Sequence, residues 1–327
     1  LSLRLVLVVS LACGLTWAVC HALGLGGGAA YGVVLAGVIV RPDLSRWPPA
    51  ALVLVPVVVA TGLGLGTLLK PLIEAPPVWQ FAVVSACALI LGQALPDKLA
   101  PARGILAVVA VLPLLSGNAT WLSAWHELLS VVIGIGCGVA LQALLRPPAQ
   151  LAGEKAEGAE AKPPSATPPR NLASRFADRF FWRKLTVAAL ALSIGLGLGA
   201  VNPKYLYFGV VLLLNERLEA TLARVRDRMI GVSLGVLMPW LVFNTLGVNS
   251  VAIGLVMGGT TALMQGLGLR ANLRTALISS GVTFAGYGAL TDWYVPTRWI
   301  DYLMGCGLAL TVSMLFERKP DPPGIGS

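Results

Sequence analysis

Four residues in one short stretch, Arg217, Thr221, Arg224 and Arg228, follow one another at spacings of 4, 3 and 4. On a helix those spacings make one face, with Leu218, Leu222, Val225 and Met229 on a neighbouring one. Arg224 and Asp227 can pair at i, i+3. Guanidinium forks grip carboxylates through two parallel hydrogen bonds. A basic row at the mouth of a membrane path concentrates organic anions. The same row also serves as an inner-leaflet anchor and a topology determinant. Arg41 and Lys204 are two further cations that could draw an anion toward the two mouths. Lys204 stands in Asn202-Pro203-Lys204-Tyr205, where proline suggests a backbone break.

Neutral polar residues inside apolar stretches are the other pocket candidates: Gln80, Gln93, Asn118, Gln142, Asn244 and Gln265. Each can bind substrate or hydrogen-bond a neighbouring helix. Carboxylates are scarce, because an Asp at mid-span costs about 2.5–3.5 kcal/mol. Glu127 and Asp301 fall near the outer ends of spans, with His126 beside Glu127. They are the candidates for proton binding at the outer mouth, although solvated span ends are the simpler expectation. The five cysteines lie in apolar stretches without a CxxC pair and read as packing residues, not disulfides or metal ligands. No nucleophile–base pair, metal cluster or phosphate loop is visible, so the expectation is no enzyme and no cofactor. The runs Gly62–Gly66 and Gly195–Gly199 look like dinucleotide loops but sit within apolar spans, where that chemistry has no strand to follow.

The elements that must position these side chains are membrane helices. Of the 327 residues, 56% are hydrophobic and 12% charged, with a mean hydropathy of +0.79, whereas soluble domains carry about a quarter charged residues. The expected fold is all-α: a polytopic membrane protein of about twelve transmembrane helices. The second, fifth and eighth stretches, Gly27–Val40, Gly104–Leu115 and Tyr205–Leu214, are short, and the ninth reads as Met229–Val248. Residues 1–146 form a first membrane half and 182–318 a second. Between them, residues 147–181 read as a disordered cytoplasmic linker rich in Ala, Pro, Glu and Lys; 319–327 is a short cytoplasmic tail. With the N-terminus inside, every Lys and Arg except Lys70, Lys204 and Arg298 falls on the cytoplasmic side. The net charge of +9 is then a topology signal that also meets anionic lipids, and nucleic acid is not an expected partner. The first stretch reads as a retained helix, both termini as cytoplasmic and the membrane as a bacterial inner membrane.

The halves echo one another. Gly136-Cys137-Gly138 recurs as Gly305-Cys306-Gly307 near the end of each half. Tyr31-Gly32-Val33-Val34-Leu35 resembles Phe208-Gly209-Val210-Val211-Leu212, and Val53-Leu54-Val55-Pro56 resembles Val236-Leu237-Met238-Pro239. Two parallel six-helix repeats, related by an axis along the membrane normal, would explain this. Only the second half carries an arginine-rich helix between its second and third spans. The GxxxG pairs Gly231/Gly235 and Gly254/Gly258 are expected to pack helices closely.

The stretch Arg224-x-Arg226-Asp227-Arg228-Met229-Ile230-Gly231-x-x-x-Gly235 resembles the arginine-then-glycine motif of the fusaric acid resistance (FUSC) family. That family includes aromatic acid exporters and is related to aluminium-activated malate transporters. Arg298-Trp299-Ile300-Asp301-Tyr302-Leu303-Met304-Gly305 resembles the same motif entering the last span; Trp125-His126-Glu127 stands at the corresponding place without the arginine. The resemblance implies efflux of organic, often aromatic, carboxylates, with proton drive as a family expectation. A passive organic-anion channel and a non-transporting accessory or assembly protein are the alternatives. A major-facilitator transporter shares the layout, but its Gly-x-x-x-Asp-Arg loop is replaced by Arg41-Pro42-Asp43-Leu44-Ser45-Arg46. The expected partners are small organic anions, anionic lipids and either a second copy or another membrane protein.

Overall fold

The computed structural model describes residues 2–45, 47–96, 99–115, 120–145, 172–288 and 291–316. All regular structure among them is helical. The first half contains α1 (Leu3–Ala22), α2 (Ala29–Ile39), α3 (Pro49–Leu72), α4 (Pro77–Ala94), α5 (Ala100–Leu115) and α6 (Trp121–Leu144). A short α7 (Leu172–Phe176) precedes the second half. That half contains α8 (Arg179–Gly197), α9 (Lys204–Leu213), α10 (Leu218–Gly235), α11 (Leu237–Leu246), α12 (Ser250–Gly266), α13 (Leu273–Tyr287) and α14 (Thr291–Leu315). Five helices, α1, α3, α4, α6 and α8, are long and apolar enough to cross a bilayer. The chain is an integral membrane protein.

Local chemistry sets the helix ends. The side chains of Ser2, Thr120, Asp178 and Asn249 each accept a backbone N–H at the start of α1, α6, α8 and α12. Gly24, Gly199 and Gly268, each at φ 72°, close α1, α8 and α12 in a left-handed turn that a side chain resists. The closing hydrogen bonds are alike: Leu25 to Cys20, Ala200 to Gly195 and Leu269 to Met264, each at 2.8–2.9 Å. After the first two of these turns come the short helices α2 and α9. At 11 and 10 residues they rise only about 15–17 Å, half of a hydrocarbon core of about 30 Å.

Each short helix is held by the last helix of its own half. A Cβ on Gly134 would collide with the backbone of Gly32, and one on Gly209 with the backbone of Gly305. Backbones touch there because both sides lack a side chain. These contacts change the register of the doubled motif. In α6 the packed glycines are Gly134 and Gly138; in α14 it is Gly305. Gly136 and Gly307 face open space. The first glycine of one copy and the second of the other therefore do the packing.

With α10 and α11 counted as one broken third element, three helix pairings recur in the two halves: the second on the sixth, the third on the fifth and the fourth on the fifth. Across the halves, α1 packs on α12, α4 on α8, α2 on α13 and α5 on α9. One buried core joins α1, α2 and α6 to α12 and α13; the other joins α4 and α5 to α8, α9 and α14. The sequence halves are thus not separate packing units, because each contributes its fourth and fifth helices to the other's core.

Three expectations need correction. Residues 172–176 are helical and α8 begins at Arg179, so the linker assigned to 147–181 ends earlier; Phe176 and Phe181 meet edge to face at 5.5 Å. The ninth span is not 229–248: α10 runs unbroken from Leu218 through the arginines to Gly235, and the chain breaks at Val236 before α11. The Val-Leu-x-Pro echo also falls in unlike places, with Pro56 inside continuous α3 and Pro239 just past that break. The glycines give the better match: Gly62 and Gly66 pack α3 on α5, as Gly231 and Gly235 pack α10 on α13. Residues 146–171 and 317–327, with Asn118, lie outside the described residues.

Candidate functional site: a cation–tyrosine cluster

Three cations and three tyrosines meet where α9, α10, α13 and α14 converge. Tyr302 of α14 and Tyr205 of α9 lie ring to ring, centroids 4.9 Å apart, and are 2% and 3% exposed. The Arg228 guanidinium of α10 donates to the Tyr302 hydroxyl from Nη2 at 3.1 Å and from Nε at 3.3 Å. Its Cζ lies 5.9 Å from the ring centroid. Arg298 of α14 stands over both rings, 5.4 Å from Tyr205 and 6.0 Å from Tyr302. Its Nη1 donates to Thr283 Oγ1 at 2.6 Å and to the Ser279 carbonyl at 3.2 Å, both on α13. Lys204 of α9 donates to the Tyr287 hydroxyl at 2.6 Å and lies over the Tyr205 and Tyr287 rings.

Helix geometry explains the convergence. Gly209 and Gly305 bring α9 and α14 close enough for their tyrosines to meet. Gly231 and Gly235 press α10 onto Thr275, Ala276 and Ser279 of α13, which sets Arg228 one turn earlier beside α14. Asp301 fixes the entry to α9: its carboxylate accepts the Asn202 N–H at 2.6 Å and the Val201 N–H at 3.2 Å.

The cluster is electrically unusual. Among the described residues the ion pair is Arg226–Asp227, on the exposed side of α10; Lys204 and Arg228 form none and meet tyrosines instead. A cation over an aromatic face gains about 0.5–2 kcal/mol, less than a buried carboxylate would supply. A carboxylate arriving with an aromatic ring would find forked donors and rings of matching geometry.

The predicted site residues divide sharply. Lys204 and Arg228 are in the cluster. Arg217, the residue before α10, and Arg224 on it are exposed, and Thr221 of the same row is buried against Ser313 of α14 at 3.2 Å. Arg298 was expected to be an outer-face cation and is instead 3% exposed inside the bundle. Glu127 and Asp301, expected as solvated span ends, are 7% and 1% exposed; His126 beside them is half-buried. Tyr205, Tyr287 and Tyr302 were missed. The signal for Tyr302 was its place four residues after Arg298, one helical turn on.

The other candidates serve structure. Gln93 donates to the Arg175 carbonyl, tying α4 to α7, and Gln265 accepts the Ser2 N–H at 2.7 Å. Gln80 donates to the Ile73 carbonyl at the start of α4, and Gln142 accepts the Arg41 N–H where α2 ends. Arg41 and Arg274 lie against Trp47, at 5.1 and 5.9 Å from its ring. In the same loop, partial burial pushes the Asp43 carboxyl up. Hydrogen bonds from Ser45 and the Arg41 charge outweigh that and hold it below the usual carboxylate range. Among the described residues no group of His, Cys, Asp and Glu is arranged to hold a metal.

A cavity of about 380 Å³ opens elsewhere in the second half, lined by Asp178, Arg179, Phe180, Arg183, Glu216 and Phe316. Arg183 lies between the Phe180 and Phe316 rings, 5.1 Å from each. The cavity adjoins the start of α8 and the chain leading into α10. In the cluster Tyr205, Tyr302 and Arg298 are buried, while Lys204, Arg228 and Tyr287 are half-buried.

No curated protein and no solved structure matches the chain. Residues 187–312 match the sequence model of the fusaric acid resistance protein-like family, and this segment contains all six residues of the cluster. Over that segment of the second half the chain is similar to the fusaric acid resistance protein-like family.

Proposed function

We propose that the protein is a secondary transporter that exports organic, chiefly aromatic, carboxylates, and that the cation–tyrosine cluster is its binding site. The single observation that carries this reading is Tyr302 held between Arg228 and Arg298. Two guanidiniums meet one buried side chain, Arg228 at its hydroxyl and Arg298 over its ring. A substrate carboxylate displaces the phenol hydroxyl from Arg228, and its ring stacks on Tyr205 or Tyr302. The exchange replaces a neutral acceptor by a charged one that can accept two parallel N–H bonds.

The matching helix neighbours and the matching turns at Gly24 and Gly199 support a duplicated six-element unit. We read the chain as two such units side by side, with short α2 and α9 as half-helices of the kind that build binding sites at membrane depth. The arrangement expected from positive charge has both ends of the chain cytoplasmic. The cavity at Arg179 and Arg183 would then open on that face, where an anion enters.

The test is transport by purified protein in liposomes. Phthalate is a suitable aromatic probe because its two charges keep it from leaking through lipid; malate represents small dicarboxylates. The reading predicts saturable phthalate exchange that exceeds malate exchange and is lost in Arg228→Gln. Equal rates in protein-free and protein-containing vesicles, for both anions, would contradict it.

A further inference from the structure

Glu127 sits two helical turns before Gly134, the glycine of α6 that packs on Gly32. Arg298 sits the same seven residues before Gly305, the glycine of α14 that packs on Gly209. Counted from these two glycines, one turn carries an acid and the other a base. The Arg298 turn is already part of the cluster; the Glu127 turn has no place in the function so far.

The surroundings of Glu127 are those of a proton site. Its side chain is 7% exposed. Oε1 receives one long hydrogen bond, from Ser123 Oγ at 3.5 Å, and Oε2 is buried without a partner among the described residues. The ionisable groups on helices packed against α6 are Arg4, Cys13, Cys20 and His21 of α1, Tyr31 of α2 and Lys70 of α3; His126 adjoins it on α6. Tyr31 is on α2, which packs on α13. Tyr287 of α13 receives the Lys204 ammonium, and Thr283 and Ser279 of α13 receive Arg298. The α6–α2–α13 packing thus joins the first half to the cluster in the second.

We propose that Glu127 is the residue that binds the driving proton, coupling its passage to carboxylate movement at the cluster. A neutral acid tolerates the dry α2–α6 crossing. An ionised one, lacking a cation, does not. Loss of the proton and closure of this crossing therefore oppose each other, and α2 carries the crossing to α13, whose Tyr287 holds Lys204. The proton comes from water on one face and leaves to water on the other; only an O–H bond forms and breaks. The inference rests on the carboxylate-transport reading for its cargo, but the proton site can be observed without any cargo.

The experiment compares full-length wild type with Glu127→Gln, which keeps shape and the Ser123 hydrogen bond. Infrared spectra of the reconstituted protein across a pH titration report the protonated carboxyl directly. Phthalate is then followed in two modes, exchange at equal pH and accumulation driven by a pH gradient. The expected result is a carboxyl band that vanishes in Glu127→Gln, exchange within about twofold of wild type, and gradient-driven accumulation lost. An unchanged carboxyl band, or gradient-driven accumulation equal to wild type, overturns the proposal. If the band vanishes but wild type moves no phthalate in either mode, the carboxylate reading fails and the proton site stands. Should Glu127→Gln fail to fold, the wild-type titration decides: a band that titrates without Asp301, tested in Asp301→Asn, supports the assignment, and one that disappears with Asp301 refutes it.

Discussion

The Tyr302 hydroxyl is the acceptor for two nitrogens of Arg228, at 3.1 and 3.3 Å. This contact joins the broken third element of the second half to its last helix. It also occupies the fork that a substrate carboxylate would use.

Removing the hydroxyl therefore separates two roles. Tyr302→Phe keeps the ring but strips Arg228 of its acceptor. A hydrogen bond to a charged group contributes about 1.5–3 kcal/mol, so thermal unfolding in detergent should show a clear loss of stability. Binding of benzoate should be equal to wild type or tighter, since the competing acceptor is gone. Weaker binding would mean the hydroxyl contacts the substrate.

Asp301 accepts two backbone N–H groups at the entry to α9. Asp301→Ala leaves both without this acceptor; Asn202, the less exposed of the two, should account for most of a loss of about 1–3 kcal/mol. Asp301→Asn retains one acceptor and should recover part of the loss in melting temperature. Identical melting temperatures for the two variants would contradict this account of the turn.

The doubled Gly-Cys-Gly motif yields a paired prediction. Gly305→Ala and Gly138→Ala force a methyl against neighbouring backbone, a strain of about 1–3 kcal/mol in a packed crossing. Gly307→Ala and Gly136→Ala point into open space and should leave stability unchanged or slightly higher, since alanine favours helix by about 1 kcal/mol. Melting temperatures of the four variants check the register directly.

The shared cores predict mutual dependence of the halves. Expressed as two chains split near residue 160, the halves should co-purify from membranes and assemble together. Each alone should be degraded or aggregate, because α4 and α5 would lack α8, α9 and α14. A first half that is stable and monodisperse alone would contradict this packing.

The helical, membrane-bound character was legible because apolar stretches of spanning length admit few alternatives. So were the glycine contacts at Gly231/Gly235 and Gly254/Gly258, since close packing in lipid selects small residues. The depth of charged groups was not. Arg298 reads as outer-face by charge counting, yet it finds partners in Tyr302 of its own helix, Ser279 and Thr283 of the helix before it, and Tyr205 of the distant α9. Glu127 read as solvated because nothing local reveals that the loop entering α2 packs on its backbone at Gly28. The arginine row was read as one surface, while Thr221 turned inward to Ser313 and Arg228 reached Tyr302, leaving Arg217 and Arg224 outside.

The central claim is that the cluster recognises a carboxylate through Arg228. Equilibrium binding of benzoate and of its neutral isostere benzamide, measured calorimetrically on wild type and Arg228→Gln, tests it most directly. The account predicts that wild type prefers benzoate and that Arg228→Gln loses about 1.5–3 kcal/mol for benzoate, roughly 10–150-fold in Kd, with benzamide unchanged. Equal affinity for the two ligands in wild type, or a benzoate Kd unaffected by Arg228→Gln, would contradict it.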